Sequence, residues 1–138
     1  EEILRKEVGR KTMVVITDGV DVGSVLSLEK ALEAAQKADA IIYGIYYADP
    51  SYQVWGSGFR VLKQLAEETG GRVFRVGRQR ELNRIFAQIQ EEVRSQYSIG
   101  YSPTRPIGDG GYRRVKVTTK RKGLKVQARK GYYAIKRG

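Results

Sequence analysis

Thr12-Met-Val-Val-Ile-Thr-Asp-Gly19 and Ala40-Ile-Ile-Tyr-Gly-Ile-Tyr-Tyr47 decide the fold. Both are short apolar runs without the polar alternation of a half-buried strand. Such runs predict strands covered on both faces, the kind found in parallel sheets. Asp18-Gly19 and Asp49-Pro50 close them with turn chemistry. Between them Leu28, Ala31, Leu32, Ala35 and Ala38 follow helical spacing, with Ser27 as N-cap and Glu29 in the first turn. Leu62, Leu65, Ala66 and Thr69 mark a second helix, stopped by Gly70-Gly71. Arg72-Val-Phe-Arg-Val76 is a third strand, and Leu82, Ile85, Phe86, Ile89 and Val93 place a third helix after it. Strand–helix alternation of this kind implies parallel strands joined by right-handed crossovers.

The period changes after residue 95. Tyr97, Ile99 and Tyr101 alternate with Ser98, Gly100 and Ser102. Val115, Val117 and Thr119 alternate with charged or polar neighbours, as do Leu124, Val126 and Ala128. Three half-buried strands of a small antiparallel sheet are expected there. The charge changes at the same point. Residues 1–95 hold 14 basic and 14 acidic groups, whereas residues 96–138 hold 12 basic groups and one acid, Asp109. The net charge of +11 thus belongs to the last third of the chain. The expected organisation is an α/β portion over 1–95 and a basic antiparallel β extension over 96–138, packed on it.

The 138 residues fit one domain with a core of its own. No apolar run approaches the roughly 20 residues of a membrane-spanning helix. The chain has no cysteine and no histidine, which removes thiol nucleophiles, cysteine-based zinc sites and serine–histidine triads. Gly19-Val-Asp-Val-Gly23 does not fit the glycine-rich turn of a dinucleotide site. No carboxylate pair is evidently set for acid–base work, so a non-catalytic role is expected.

The strand ending in Thr17-Asp18-Gly19, followed by Asp21 and Ser24, resembles the later part of a von Willebrand factor type A (VWA) domain. The resemblance continues in order through Ile42-Tyr-Gly-Ile45, Leu65-Ala-Glu-Glu-Thr-Gly-Gly-Arg-Val-Phe74, Gln96-Tyr-Ser-Ile-Gly-Tyr-Ser-Pro103 and Ala128-Arg-Lys-Gly-Tyr132. It is similar to a VWA-related bacterial subfamily, of the kind found in Acidobacteria, that carries a C-terminal β extension. The resemblance implies the C-terminal half of a three-layer, Rossmann-like parallel-sheet domain plus that extension. It also implies a protein-binding or adhesion role, an extracellular or periplasmic location, and a Mg²⁺ ion to which Asp18 contributes, with Asp21 behind it. The family's Asp-x-Ser-x-Ser loop and middle-loop threonine are missing here, so the ligand set is incomplete. Mg²⁺ wants octahedral oxygen coordination and keeps several waters, so an electron-poor site accepts a carboxylate from a partner.

Two other surfaces stand out. Tyr52, Trp55 and Phe59 lie on or beside a glycine-containing loop and are expected as partner-binding rings. Arg114, Lys116, Lys125 and Arg129 fall on the polar phase of neighbouring strands and are expected to share one anion-binding face. Charge alone points to nucleic acid, and no RNP-like, helix-turn-helix or zinc-finger pattern supports it. The expected partner is a protein with an acidic group. A second copy, a complementing N-terminal half or an anionic surface are the alternatives, because a half-sheet leaves a strand edge open.

Overall fold

The computed structural model describes residues 10–17, 28–47, 57–78, 80–105 and 108–135. The elements run β1 (Lys11–Thr17), α1 (Leu28–Lys37), β2 (Ala40–Tyr47), α2 (Ser57–Thr69), β3 (Val73–Val76), α3 (Glu81–Arg94), β4 (Tyr112–Arg114) and β5 (Gly131–Tyr133). β1, β2 and β3 form a parallel sheet in that order, and β4 pairs antiparallel with β5. The chain is therefore α/β, a Rossmann-like half domain with a small antiparallel extension.

Register explains the layers. Val14 pairs with Tyr43 and Ile16 with Ile45; Ile45 pairs with Phe74 and Tyr47 with Val76. Partners across a ladder share a face. This face carries Tyr43, Ile45 and Val76, and α3 covers it with Ile85 and Ile89, flanked by Leu82 and Val93. The opposite face of β2 carries Ala40, Ile42, Gly44 and Tyr46. α2 lies on it, close enough that a Cβ on Gly44 would meet the Leu62 side chain at 2.8 Å. α1 packs beside α2 on the same side. Helices on both faces make three layers.

The end of α2 is built from residue types that suit a helix stop. The Gly71 N–H donates to Ala66 O at 2.8 Å and the Gly70 N–H to Glu67 O at 3.3 Å, the paired bonds of a Schellman cap. Gly70 takes φ +91°, which a side chain would resist. Thr69 ties this cap to the sheet. Its hydroxyl accepts from the Ile42 N–H at 3.0 Å and reaches the Leu65 and Ala66 carbonyls at 2.9 and 3.0 Å. β3 pairs with β2 only from Gly44 onward, so without Thr69 the Ile42 N–H would have no neighbour.

Three expectations change. β1 is not covered on both faces: Val14 is 37% and Ile16 52% exposed, while Ile85 and Ile89 of α3 pack on Tyr43, Ile45 and Val76 of β2 and β3. Residues 97–101 form no strand, since no neighbouring strand pairs with them. They are tied by side chains instead. Arg10 donates to Gln96 Oε1, Tyr97 O and Ser98 Oγ at 3.2–3.3 Å, and Tyr101 and Tyr132 join hydroxyls at 2.9 Å. Tyr97 and Ile99 stay 89% and 73% exposed. Finally, the antiparallel ladder forms at 112–114 and 131–133 rather than at 115–119 and 124–128. The base of the hairpin has the cross-strand ring pair Tyr112–Tyr133, with centroids 5.3 Å apart. It also touches the body, where Gln36 Nε2 donates to the Tyr112 hydroxyl at 3.4 Å.

Candidate functional site

Two surfaces stand out: the outer edge of β1 and the basic hairpin over residues 108–135. Parallel strands send the N–H and C=O of successive residues to alternate sides. The Lys11 N–H donates to Asp39 O on the β2 side at 3.4 Å. The backbone groups of Thr12, Val14 and Ile16 accordingly point away from β2, and among the described residues no strand pairs with them. Their side chains lie on the α3 side and are exposed. β1 therefore presents an open edge of backbone donors and acceptors beside an apolar strip.

The hairpin starts at an Asx turn in which the Gly111 N–H donates to Asp109 Oδ1 at 2.9 Å. Asp109 also pairs with Arg113. The Arg113 guanidinium, followed by the Gly111 N–H, holds the Asp109 carboxyl below its ordinary 3.8. The ladder ends with the Val115 N–H on Lys130 O at 2.8 Å. Beyond it no backbone hydrogen bond joins 116–119 to 124–129. A cleft of about 470 Å³ is lined from both arms by Val115, Val117, Val126 and Ala128 together with Arg114, Lys116, Arg129 and Lys130, and by Glu68 of the body.

The second arm is fastened to the body. Arg129 Nη1 lies 2.6 Å from Asp39 Oδ1, and its guanidinium sits 5.6 Å from the Tyr132 ring centroid. The Lys130 N–H donates to Glu68 O at 3.1 Å, and its ammonium is 3.6 Å from the Glu68 carboxylate. Gln127 Nε2 donates to Gly70 O at 3.0 Å. A Cβ on Gly70 would come within 2.8 Å of the Arg129 backbone nitrogen, so this glycine lets the α2 cap and the hairpin touch. The first arm is different: among the described residues no carboxylate pairs with Arg114 or Lys116.

The four cations expected on one anion-binding face take these places. Arg114, Lys116 and Arg129 line the cleft; Lys125 does not, and Arg129 is engaged by Asp39. Phe59 falls in the first turn of α2 and is only 9% exposed. Its ring meets Tyr46 edge-on at 5.1 Å, with the Arg75 guanidinium 4.7 Å away. The ring thus packs against the sheet. Asp18, Asp21, Tyr52 and Trp55 lie outside the described residues. Asp39 and Glu68 were not singled out by the sequence. Asp39 follows α1 with φ 54°, a helix-end signal that Asp tolerates, but nothing in the sequence links it to Arg129.

Among the described residues no group of three or more Asp, Glu, His or Cys side chains is placed to hold a metal ion. None of their helices is long and apolar enough to cross a membrane.

The class defined so far is a three-layer α/β half domain with a basic hairpin. No protein-family model matches the sequence. No curated protein matches it either. Among solved structures it is similar to the crystal structure of an uncharacterized membrane-spanning protein from Vibrio fischeri, with 26% identity and a TM-score of 0.50. The match covers 60% of this chain and 47% of that one, so this chain spans about half of that protein's length.

Proposed function

We propose that the chain is a non-catalytic protein-binding module that works by completing its sheet at β1. The observation that carries this reading is the open edge of Thr12, Val14 and Ile16. Outward backbone groups supply hydrogen bonds to an added strand, and exposed Val14 and Ile16 supply apolar area. A second copy of the chain, or a complementing N-terminal half, fills that place.

In the completed domain Asp18, directly after β1, contributes one oxygen ligand to Mg²⁺, with Asp21 behind it. By the resemblance to a VWA-type domain, the remaining ligands belong to the Asp-x-Ser-x-Ser loop and the middle-loop threonine of the intact domain. The metal would act by accepting a partner carboxylate.

Light scattering over a rising concentration series tests the assembly. The mass should climb above the 15.6 kDa of one chain, and Val14→Lys with Ile16→Lys should hold it there. Both side chains are exposed, so the variant should keep its unfolding midpoint. A wild type that stays at the mass of one chain, or a variant that assembles equally well, refutes self-completion at β1.

A further inference from the structure

The cleft in the hairpin carries chemistry that β1 does not use. Its lining has an apolar part, Val115, Val117, Val126 and Ala128. Its first arm carries Arg114 and Lys116, which have no carboxylate partner among the described residues. Both arms, over 116–119 and 124–129, have backbone groups that bond to no other backbone. We infer that this cleft receives an extended acidic peptide segment of a partner protein, one that alternates acidic and apolar side chains.

Each feature selects for that occupant. An extended peptide satisfies the unpaired N–H and C=O groups of an arm, as strand addition does elsewhere. Its alternate side chains point to opposite sides, so one set meets the valines and the other meets Arg114 and Lys116. Cations facing acidic groups fix register and speed encounter. Other polyanions fit less well. No ring lines the cleft, so bases have nothing to stack on. A sulfated glycan has no use for the apolar lining or the backbone edge. Glu68 stands in the lining beside Lys130 and repels acid there, so the acidic residues lie along the first arm.

The inference rests on the protein-binding reading but uses a different surface, so it fails or stands independently of the β1 assembly. The probe is a fluorescent alternating Glu-Val decapeptide, followed by anisotropy on the full chain. Saturable binding that weakens with salt is expected. Arg114→Glu with Lys116→Glu should weaken it by roughly ten-fold or more, with the unfolding midpoint unchanged because both residues are exposed. If the midpoint moves, Arg114→Gln with Lys116→Gln is measured instead, and a loss of binding is again expected. N-methylation of the peptide at alternate residues should abolish binding in one phase. No binding, indifference to both pairs of substitutions, or indifference to N-methylation in both phases overturns the inference. So does a heparin oligosaccharide of equal charge that binds as tightly as the peptide, since the cleft would then be a general anion surface.

Discussion

Thr69→Val removes the hydroxyl that joins α2 to the sheet, along with its bond back to the helix carbonyls. Valine matches threonine in shape but replaces the hydroxyl with a methyl group. The Ile42 N–H, held at 3.0 Å by that hydroxyl, would be left unpaired in the core. Ile42 itself is buried, and β3 starts too late to offer a carbonyl there. An orphaned buried donor costs about 1–3 kcal/mol. Urea unfolding at an m value of about 2 kcal/mol/M turns the middle of that range into a midpoint lowered by about 1 M. Thr69→Ser keeps the oxygen and loses one methyl group, for about 0.8 kcal/mol. The order of stability should be wild type, then Ser, then Val, with m unchanged. Amide exchange gives a second readout, because the Ile42 N–H should lose protection in the Val variant alone. An unchanged midpoint together with a protected Ile42 amide would refute the assigned role.

Phe59→Ala should cost about 3–5 kcal/mol, as removal of a buried ring does; a change near zero in a denaturant midpoint would return Phe59 to the surface. Tyr43 gives a pH prediction. Burial, then the nearby Glu92 carboxylate, pushes its phenol from 10.0 up to about 12. The neutral phenol is the form that fits the core, so its contribution is full below pH 10.0 and is lost as pH rises toward about 12. Urea midpoints measured across that window should fall, and the fall should be smaller in Tyr43→Phe; an identical slope in both proteins would contradict it.

Much of the α/β body was legible from sequence because its signals are local. The apolar run at 40–47, the helical spacing of Leu82, Ile85, Ile89 and Val93, and the stop at Gly70-Gly71 all correspond to elements with those bounds or nearly so. What failed depends on neighbours. Val14 and Ile16 read as fully covered because an apolar run does not say whether a helix lies over it. Tyr97, Ile99 and Tyr101 have the alternation of a strand, but a ladder needs a second strand beside it. The cations of the hairpin alternate correctly, yet Arg129 is drawn to Asp39, 90 residues away. Phe59 stands next to a glycine-containing loop in the sequence, and its burial shows only once α2 is seen to begin at Ser57. The candidate metal ligands Asp18 and Asp21 and the rings Tyr52 and Trp55 fall outside the described residues, so they stand as the sequence left them.

The open edge of β1 is the central claim, and amide hydrogen exchange of Val14 and Ile16 tests it most directly. At low concentration both amides should exchange as freely as unpaired ones, while Val15, which faces β2, stays protected. As concentration rises and copies add at the edge, Val14 and Ile16 should gain protection together. Protection of both amides at every concentration would mean that the edge is already paired within one chain, and exchange that never slows would mean that no strand adds there.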